Sequence, residues 1–144
     1  MSIIHDVLER KGRVVLTIKS SASVLEAIGI MSEANIGALI VQDGEKAEGI
    51  FTERDYLRKI ALKGRSSSNT PLRDVMSSPL ITIDVTDPTE AGMETMTECR
   101  CRHLVITEKG EMVGILSLGD LVKHMLQEKE AEVEQLAHYI AGSY

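Results

Sequence analysis

Two short stretches hold the residues whose types and spacing could do chemistry: Thr52-Glu53-Arg54-Asp55 and Ser117-Leu118-Gly119-Asp120. Each has a hydroxyl three residues before an aspartate, preceded by a glycine and two apolar residues, Gly49-Ile50-Phe51 and Gly114-Ile115-Leu116. A Ser or Thr that opens a helix lies beside main-chain N–H groups without partners, at the positive end of the helix dipole, which suits a phosphate. An aspartate one turn later can accept hydrogen bonds from the vicinal hydroxyls of a sugar. Arg54 adds a fixed positive charge to the first stretch, whereas Gly119 adds none to the second, where Arg102 or His103 would have to serve. The same Thr-x-x-Asp and Ser-x-x-Asp spacings are good helix caps without any ligand. Arg54 and the Arg102-His103 pair are groups that capping does not need, and they tilt the reading towards binding.

The elements that position these residues come in two copies. An offset of 65 places Asp55 on Asp120, and it also relates Thr17-Ile18 to Thr82-Ile83, Met31 to Met96 and Leu39 to Leu104. Each copy reads β-α-β-β-α. In the first, Val14 to Ile18 is β-branched and aliphatic and reads as a buried strand. Ser23 with Glu26 has the form of a capping box, opening a helix that carries Val24, Leu25, Ile28 and Met31 on one face and stops at Asn35. Gly37 to Val41 and Glu48 to Phe51 make a hairpin turning at Asp43-Gly44, and a helix runs from Thr52 to about Leu62.

The second copy has its strand over Pro79 to Ile83. Asp87 is expected as cap with Pro88 in the first helical turn, before a helix burying Met93 and Met96. A hairpin of His103 to Thr107 and Met112 to Leu116 turns at Lys109-Gly110. A helix at Ile3 to Glu9 precedes the first copy, and Leu72 to Met76 echoes it. The expected division is 1–65 for the first unit with its leading helix, 66–71 for a linker, 72–127 for the second unit and 128–144 for a helical extension. That extension repeats apolar residues at three-to-four spacing through Val133, Leu136 and Ile140, a stripe suited to packing within the chain or between subunits.

Composition excludes several classes. A net charge of -6 and four aromatics (Phe51, Tyr56, Tyr139, Tyr144) in 144 residues oppose a nucleic-acid surface. No apolar run approaches the roughly 20 residues of a membrane span, and the start lacks a basic region followed by an apolar run. The expected location is cytoplasmic, with a mitochondrial matrix location requiring that a transit peptide has been removed. Cys99-Arg100-Cys101 is neither a C-x-x-C redox pair nor half of a usual zinc framework. His5, His124 and His138 show no metal-ligand spacing, and Arg58 and Lys59 read as a solvated helix face. No nucleophile–base pair or acid/base carboxylate pair stands apart from these roles, so no catalytic residue, and no metal, is expected.

These residues resemble the CBS-domain family, small β-α-β-β-α units named after cystathionine β-synthase. The resemblance covers essentially the whole chain and is carried by Gly49 to Asp55, Gly114 to Asp120 and the strand Arg102-His103-Leu104-Val105-Ile106. The stretch from Arg54 to Ser67 and the ending Tyr139 to Tyr144 look like the stand-alone CBS-pair proteins of bacteria and plant mitochondria. The resemblance implies an α/β fold of tandem CBS units related by a pseudo-twofold axis, with clefts between them that take AMP, ADP, ATP, NADH or S-adenosylmethionine. It further implies a homodimer of stacked pairs and a regulatory, non-catalytic module that senses energy or redox state and acts on a partner protein.

By that analogy Thr52, Arg54 and Asp55 would work with Thr82 and Ile83, and Ser117, Asp120, Arg102 and His103 with Thr17 and Ile18. The apolar strands would sandwich the purine. The cleft with Arg54 would prefer the more phosphorylated ligand. The alternative is a ligand-free scaffold that docks a partner through its C-terminal helix. Which adenosine ligand binds, and which partner responds, is not written in the sequence.

Overall fold

A computed structural model describes residues 2–142, so Ser143 and Tyr144 of the expected extension, and Met1, lie outside the described residues. The chain packs as two compact units, one formed by Val14–Ile81 and the other by Met1–Arg13 with Thr82–Tyr144.

In the first unit, β1 (Thr17–Lys19) runs parallel to β2 (Ala38–Asp43), which pairs antiparallel with β3 (Lys46–Thr52). The helix α2 (Val24–Ala34) crosses between β1 and β2, and Ser23 caps it by accepting from the Glu26 N–H at 3.1 Å. Asn35 ends it in the left-handed conformation, at φ 54. The core joins Val24, Ala27 and Met31 of this helix to Leu39, Val41, Phe51, Ile60, Leu72 and Val75. Two expectations fail at its edges. The strand expected over Val14 to Ile18 shortens to three residues, with Val14 82% exposed, because the ladder with β2 opens only at Thr17 opposite Ile40. Leu25, expected on the buried face, is 55% exposed, and Ala27 takes its place.

The helix after β3 also differs from expectation. A single α-helical turn, α3 (Glu53–Asp55), passes directly into a π-helical stretch, Tyr56–Ala61. The polar run after it is tied down rather than loose. Thr70 and Ser67 carbonyls accept the Val24 and Leu25 N–H groups, each at 2.9 Å, and satisfy the start of α2.

In the second unit β4 (Thr82–Asp84), β5 (His103–Glu108) and β6 (Glu111–Ser117) repeat the same sheet, including a bulge at Ile106/Thr107 that matches Val41/Gln42. The helix α4 (Thr89–Cys99) is capped by Pro88 and not by Asp87, whose carboxylate instead accepts the Asp84 N–H at 3.0 Å. Met93 is half-buried, whereas Gly92 and Met96 are buried. The last helix, α5 (Leu118–Gly142), is continuous.

The leading helix α1 (Ile4–Lys11) packs in this unit, burying Ile4, Val7 and Leu8, with the Ile4 and His5 N–H groups on the carbonyls of Asp87 and Val85. The packing boundary therefore falls elsewhere than the sequence-repeat boundary. The leading segment of the first copy packs with the second sheet, and Leu72 and Val75, its echo, pack with the first.

The glycine heading each motif marks the point where these leading segments approach the hairpins. A Cβ on Gly49 would stand 2.8 Å from the Ser77 carbonyl oxygen and from Met76 Sδ; one on Gly114 would stand 2.6 Å from Leu8 Cδ1. Ser77 is fixed by a two-way main-chain bridge to Ile50 at 2.9 and 2.8 Å, so its oxygen cannot retreat, whereas the Leu8 tip can rotate. Gly49→Ala is expected to cost about 2–3 kcal/mol and Gly114→Ala about 1 kcal/mol. Urea denaturation checks this ordering, and equal losses would overturn it.

Candidate functional site

The structure places Thr17, Ile18, Thr52, Arg54 and Asp55 on one sheet and its following turn. β1 and β3 flank β2, with Thr17 opposite Ile40 and Thr52 opposite Ala38. Thr82, Ile83, Arg102, His103, Ser117 and Asp120 occupy the corresponding places on the other sheet, with His103 directly opposite Ser117 and the Arg102 carbonyl accepting the Leu118 N–H at 2.8 Å. The two sites distribute their cations differently. The offset of 65 puts Gly37-Ala38 where the second copy has Arg102-His103, and Gly119 where the first has Arg54. One site carries its cation on the helix, the other on the strand.

The hydroxyl-to-aspartate pairs form caps in both copies, but the two carboxylates have different surroundings. Thr52 Oγ1 accepts the Asp55 N–H at 3.2 Å, and Asp55 Oδ2 accepts back from the Thr52 N–H at 3.0 Å. Asp55 Oδ1 accepts from Ser77 Oγ at 2.8 Å and is paired with Lys59 Nζ at 3.0 Å. Asp55 is 6% exposed, with both oxygens engaged. It holds the turn together as a structural hub. Lys59 is correspondingly not the solvated residue expected from sequence. It lies one turn beyond Asp55 and also donates to the Val75 carbonyl at 2.8 Å. Its i,i+4 spacing from Asp55 is the signal that could have found it; Ser77 left none.

Asp120 is more open. Ser117 Oγ accepts the Asp120 N–H at 3.0 Å, and Oδ2 accepts from the Ser117 N–H at 2.8 Å and from Lys11 Nζ at 2.6 Å. The hydrogen bonds described for its carboxylate all fall on Oδ2. Lys11 arrives from the end of α1 and also donates to the Ile115 carbonyl. Partial burial works to raise the Asp120 carboxyl, but the hydrogen bonds from Lys11 and Ser117, with the Lys11 charge, outweigh it and hold the group below the usual carboxylate range.

A carboxyl lowered on folding adds stability that is present above its unfolded value of about 3.9 and is lost as pH falls through the folded value. Lys11→Met removes the main lowering influence. The variant should be less stable above about pH 4, and the acid limb of its stability curve should flatten there. Chemical denaturation from pH 2 to 7 tests this, and a limb of unchanged slope would count against it.

Burial pushes the Cys101 thiol up, with Cys99 alongside adding to the effect. A raised thiol is a poor nucleophile, so Cys101 has the character of a structural cysteine. Among the described residues no cluster of His, Cys, Asp and Glu could hold a metal ion, and no helix is long and apolar enough to cross a membrane.

Comparisons with known proteins converge on one family. The family model "CBS domain" matches residues 6–62 and again 72–127. The chain is 40% identical to the "CBS domain-containing protein CBSX3, mitochondrial" of Arabidopsis thaliana, over 98% of this chain and 73% of that protein. It is 28% identical to the CBS domain-containing protein YhcV of Bacillus subtilis, over 91% of each. Among solved structures, the CBS-domain-containing protein ATU1752 from Agrobacterium tumefaciens superposes with a TM-score of 0.82 at 36% identity, covering 86% of this chain and 99% of that one.

Proposed function

Because this chain belongs to the CBS-domain family, matched in both halves, we propose that it is a regulatory module binding an adenosine-containing ligand (AMP, ADP, ATP or NADH) and transmitting its occupancy to a partner protein. The observation that supports this most is Asp120, a part-buried carboxylate held below the usual carboxylate range one helical turn from Ser117, whose described hydrogen bonds all fall on Oδ2. A sugar's vicinal hydroxyls need such an acceptor. Within this reading Arg102, His103, Ser117 and Asp120 are the principal ligand residues, with Arg102 and His103 towards the phosphate. Thr52 and Arg54, beside the turn that Asp55 holds, are the second set, and Thr17, Ile18, Thr82 and Ile83 are the strand positions that border the base. The sites are therefore unequal, and the Asp120 site fills first.

The second reading, a scaffold that docks a partner, is favoured by α5, where Val133, Leu136 and Ile140 are each more than half exposed. The same stripe suits a homodimer, which sedimentation at micromolar concentration tests. The function itself is tested by thermal unfolding with AMP, ADP, ATP, NADH and S-adenosylmethionine. A ligand that binds only the folded protein stabilises it by about 2.7 kcal/mol at one hundred times its Kd. A melting temperature unmoved by all five leaves the scaffold reading in place of the sensor.

A further inference from the structure

A groove of about 580 Å³ lies in the second unit between α1 and the first turns of α5. Arg10 and Lys11 enter it from α1, and Asp120, Lys123, His124 and Gln127 from one face of α5. Three cations thus face one carboxylate in a chain whose net charge is -6. Two of the cations are positioned by neighbours that leave donors over. Arg10 gives one guanidinium nitrogen to Gln127 Oε1, and Lys11 gives its amine to Asp120 and the Ile115 carbonyl. Lys123 has neither a hydrogen-bond nor an ion-pair partner among the described residues. Basic residues at the end of α1 complement its dipole, which would explain Arg10 and Lys11. Lys123, in the second turn of α5, has no such reason to be there.

His124 supplies an independent observation. It is 3% exposed, and neither ring nitrogen makes a hydrogen bond among the described residues. Nε2 lies 2.7 Å from Glu128 Oε1 without the alignment of a hydrogen bond, and that same oxygen accepts from Ser2 Oγ. A buried polar ring left in this state is costly and calls for a partner. One repeat earlier the equivalent position is Lys59, whose amine closes on Asp55 and Val75. The shorter imidazole makes no such closure.

We propose that this groove is a binding site for a small phosphate monoester, with the phosphate held by Arg10, Lys11 and Lys123 above the buried His124 ring. Guanidinium and ammonium groups together match a phosphate dianion in charge and donor geometry. The volume exceeds that of inorganic phosphate and falls within the usual range for small-molecule sites, leaving room for the esterified group. The site is built within one unit, on residues other than the strand and motif positions of the nucleotide reading apart from Asp120, and it does not depend on that reading.

The test titrates the full chain with inorganic phosphate at constant ionic strength while following the His124 ring signals by NMR. A saturable shift is expected. Arg10→Gln with Lys123→Gln should weaken it by about tenfold to hundredfold, the effect of losing charged hydrogen bonds. Arg10→Lys with Lys123→Arg should retain most of the affinity. A non-saturating shift in the parent, or the same curve in the Gln double variant, overturns the proposal. If the double variant does not fold, Lys123→Gln alone decides, since that residue holds no other group. Adenosine, which carries no phosphate, titrated in parallel separates the two readings: its failure to bind a parent protein that phosphate saturates removes the base and sugar contacts of the nucleotide proposal and leaves this one standing.

Discussion

Asp55→Ala should lower the urea midpoint of unfolding by roughly 1–2 M, a loss of about 2–4 kcal/mol. The carboxylate is buried, and its removal strands the Thr52 N–H and the Ser77 hydroxyl in the core edge where the π-helical stretch begins. Each orphaned group costs about 1–3 kcal/mol. The Lys59 contribution is smaller, because its side chain is 39% exposed and water screens the charge. Asp55→Asn keeps one acceptor and should recover part of the loss, while Lys59→Met should cost less than Asp55→Ala. A change under about 0.5 kcal/mol in the alanine variant, the level of an ordinary surface substitution, would show that Asp55 is not a hub.

AMP should bind Asp120→Ala about tenfold to hundredfold more weakly than the parent, since hydrogen bonds to a charged group are worth about 1.5–3 kcal/mol and each 1.4 kcal/mol is tenfold. The substitution also removes the cap on Ser117 and the anchor of Lys11, so a weakened fold could mimic lost binding. Two controls separate these effects. A 2′,3′-dideoxy analogue offered to the intact protein leaves the cap in place and deletes only the sugar hydroxyls. Lys11→Met leaves the carboxylate while loosening its surroundings, and should retain AMP. If the dideoxy analogue binds the parent as well as AMP does, Asp120 does not hold the sugar. Calorimetry on the parent and both variants reads all three outcomes.

The repeat, the hairpin turns at Gly44 and Gly110, the Asn35 stop and the capping role of Ser23, Thr52 and Ser117 were legible in the sequence. Each rests on residues within a few positions of one another, where side-chain type and backbone conformation are directly coupled. Local signals misled where two elements compete for one residue. Asp87 resembles a helix cap but is taken by the Asp84 N–H, and Leu25 yields its buried place to Ala27.

What only the tertiary structure decided is the state of the two aspartates. By local sequence Thr52–Asp55 and Ser117–Asp120 are the same device. Asp55 is closed by Ser77, 22 residues away, and Asp120 is met by Lys11, 109 residues away. Those partners arrive because the leading segments exchange sheets, burying Ile4, Val7 and Leu8 on one and Leu72 and Val75 on the other. Apolar burial is non-directional, so spacing shows that such segments must pack somewhere but not on which sheet. That choice brings a lysine to one carboxylate and a serine to the other, and so leaves one of them buried and the other part-exposed.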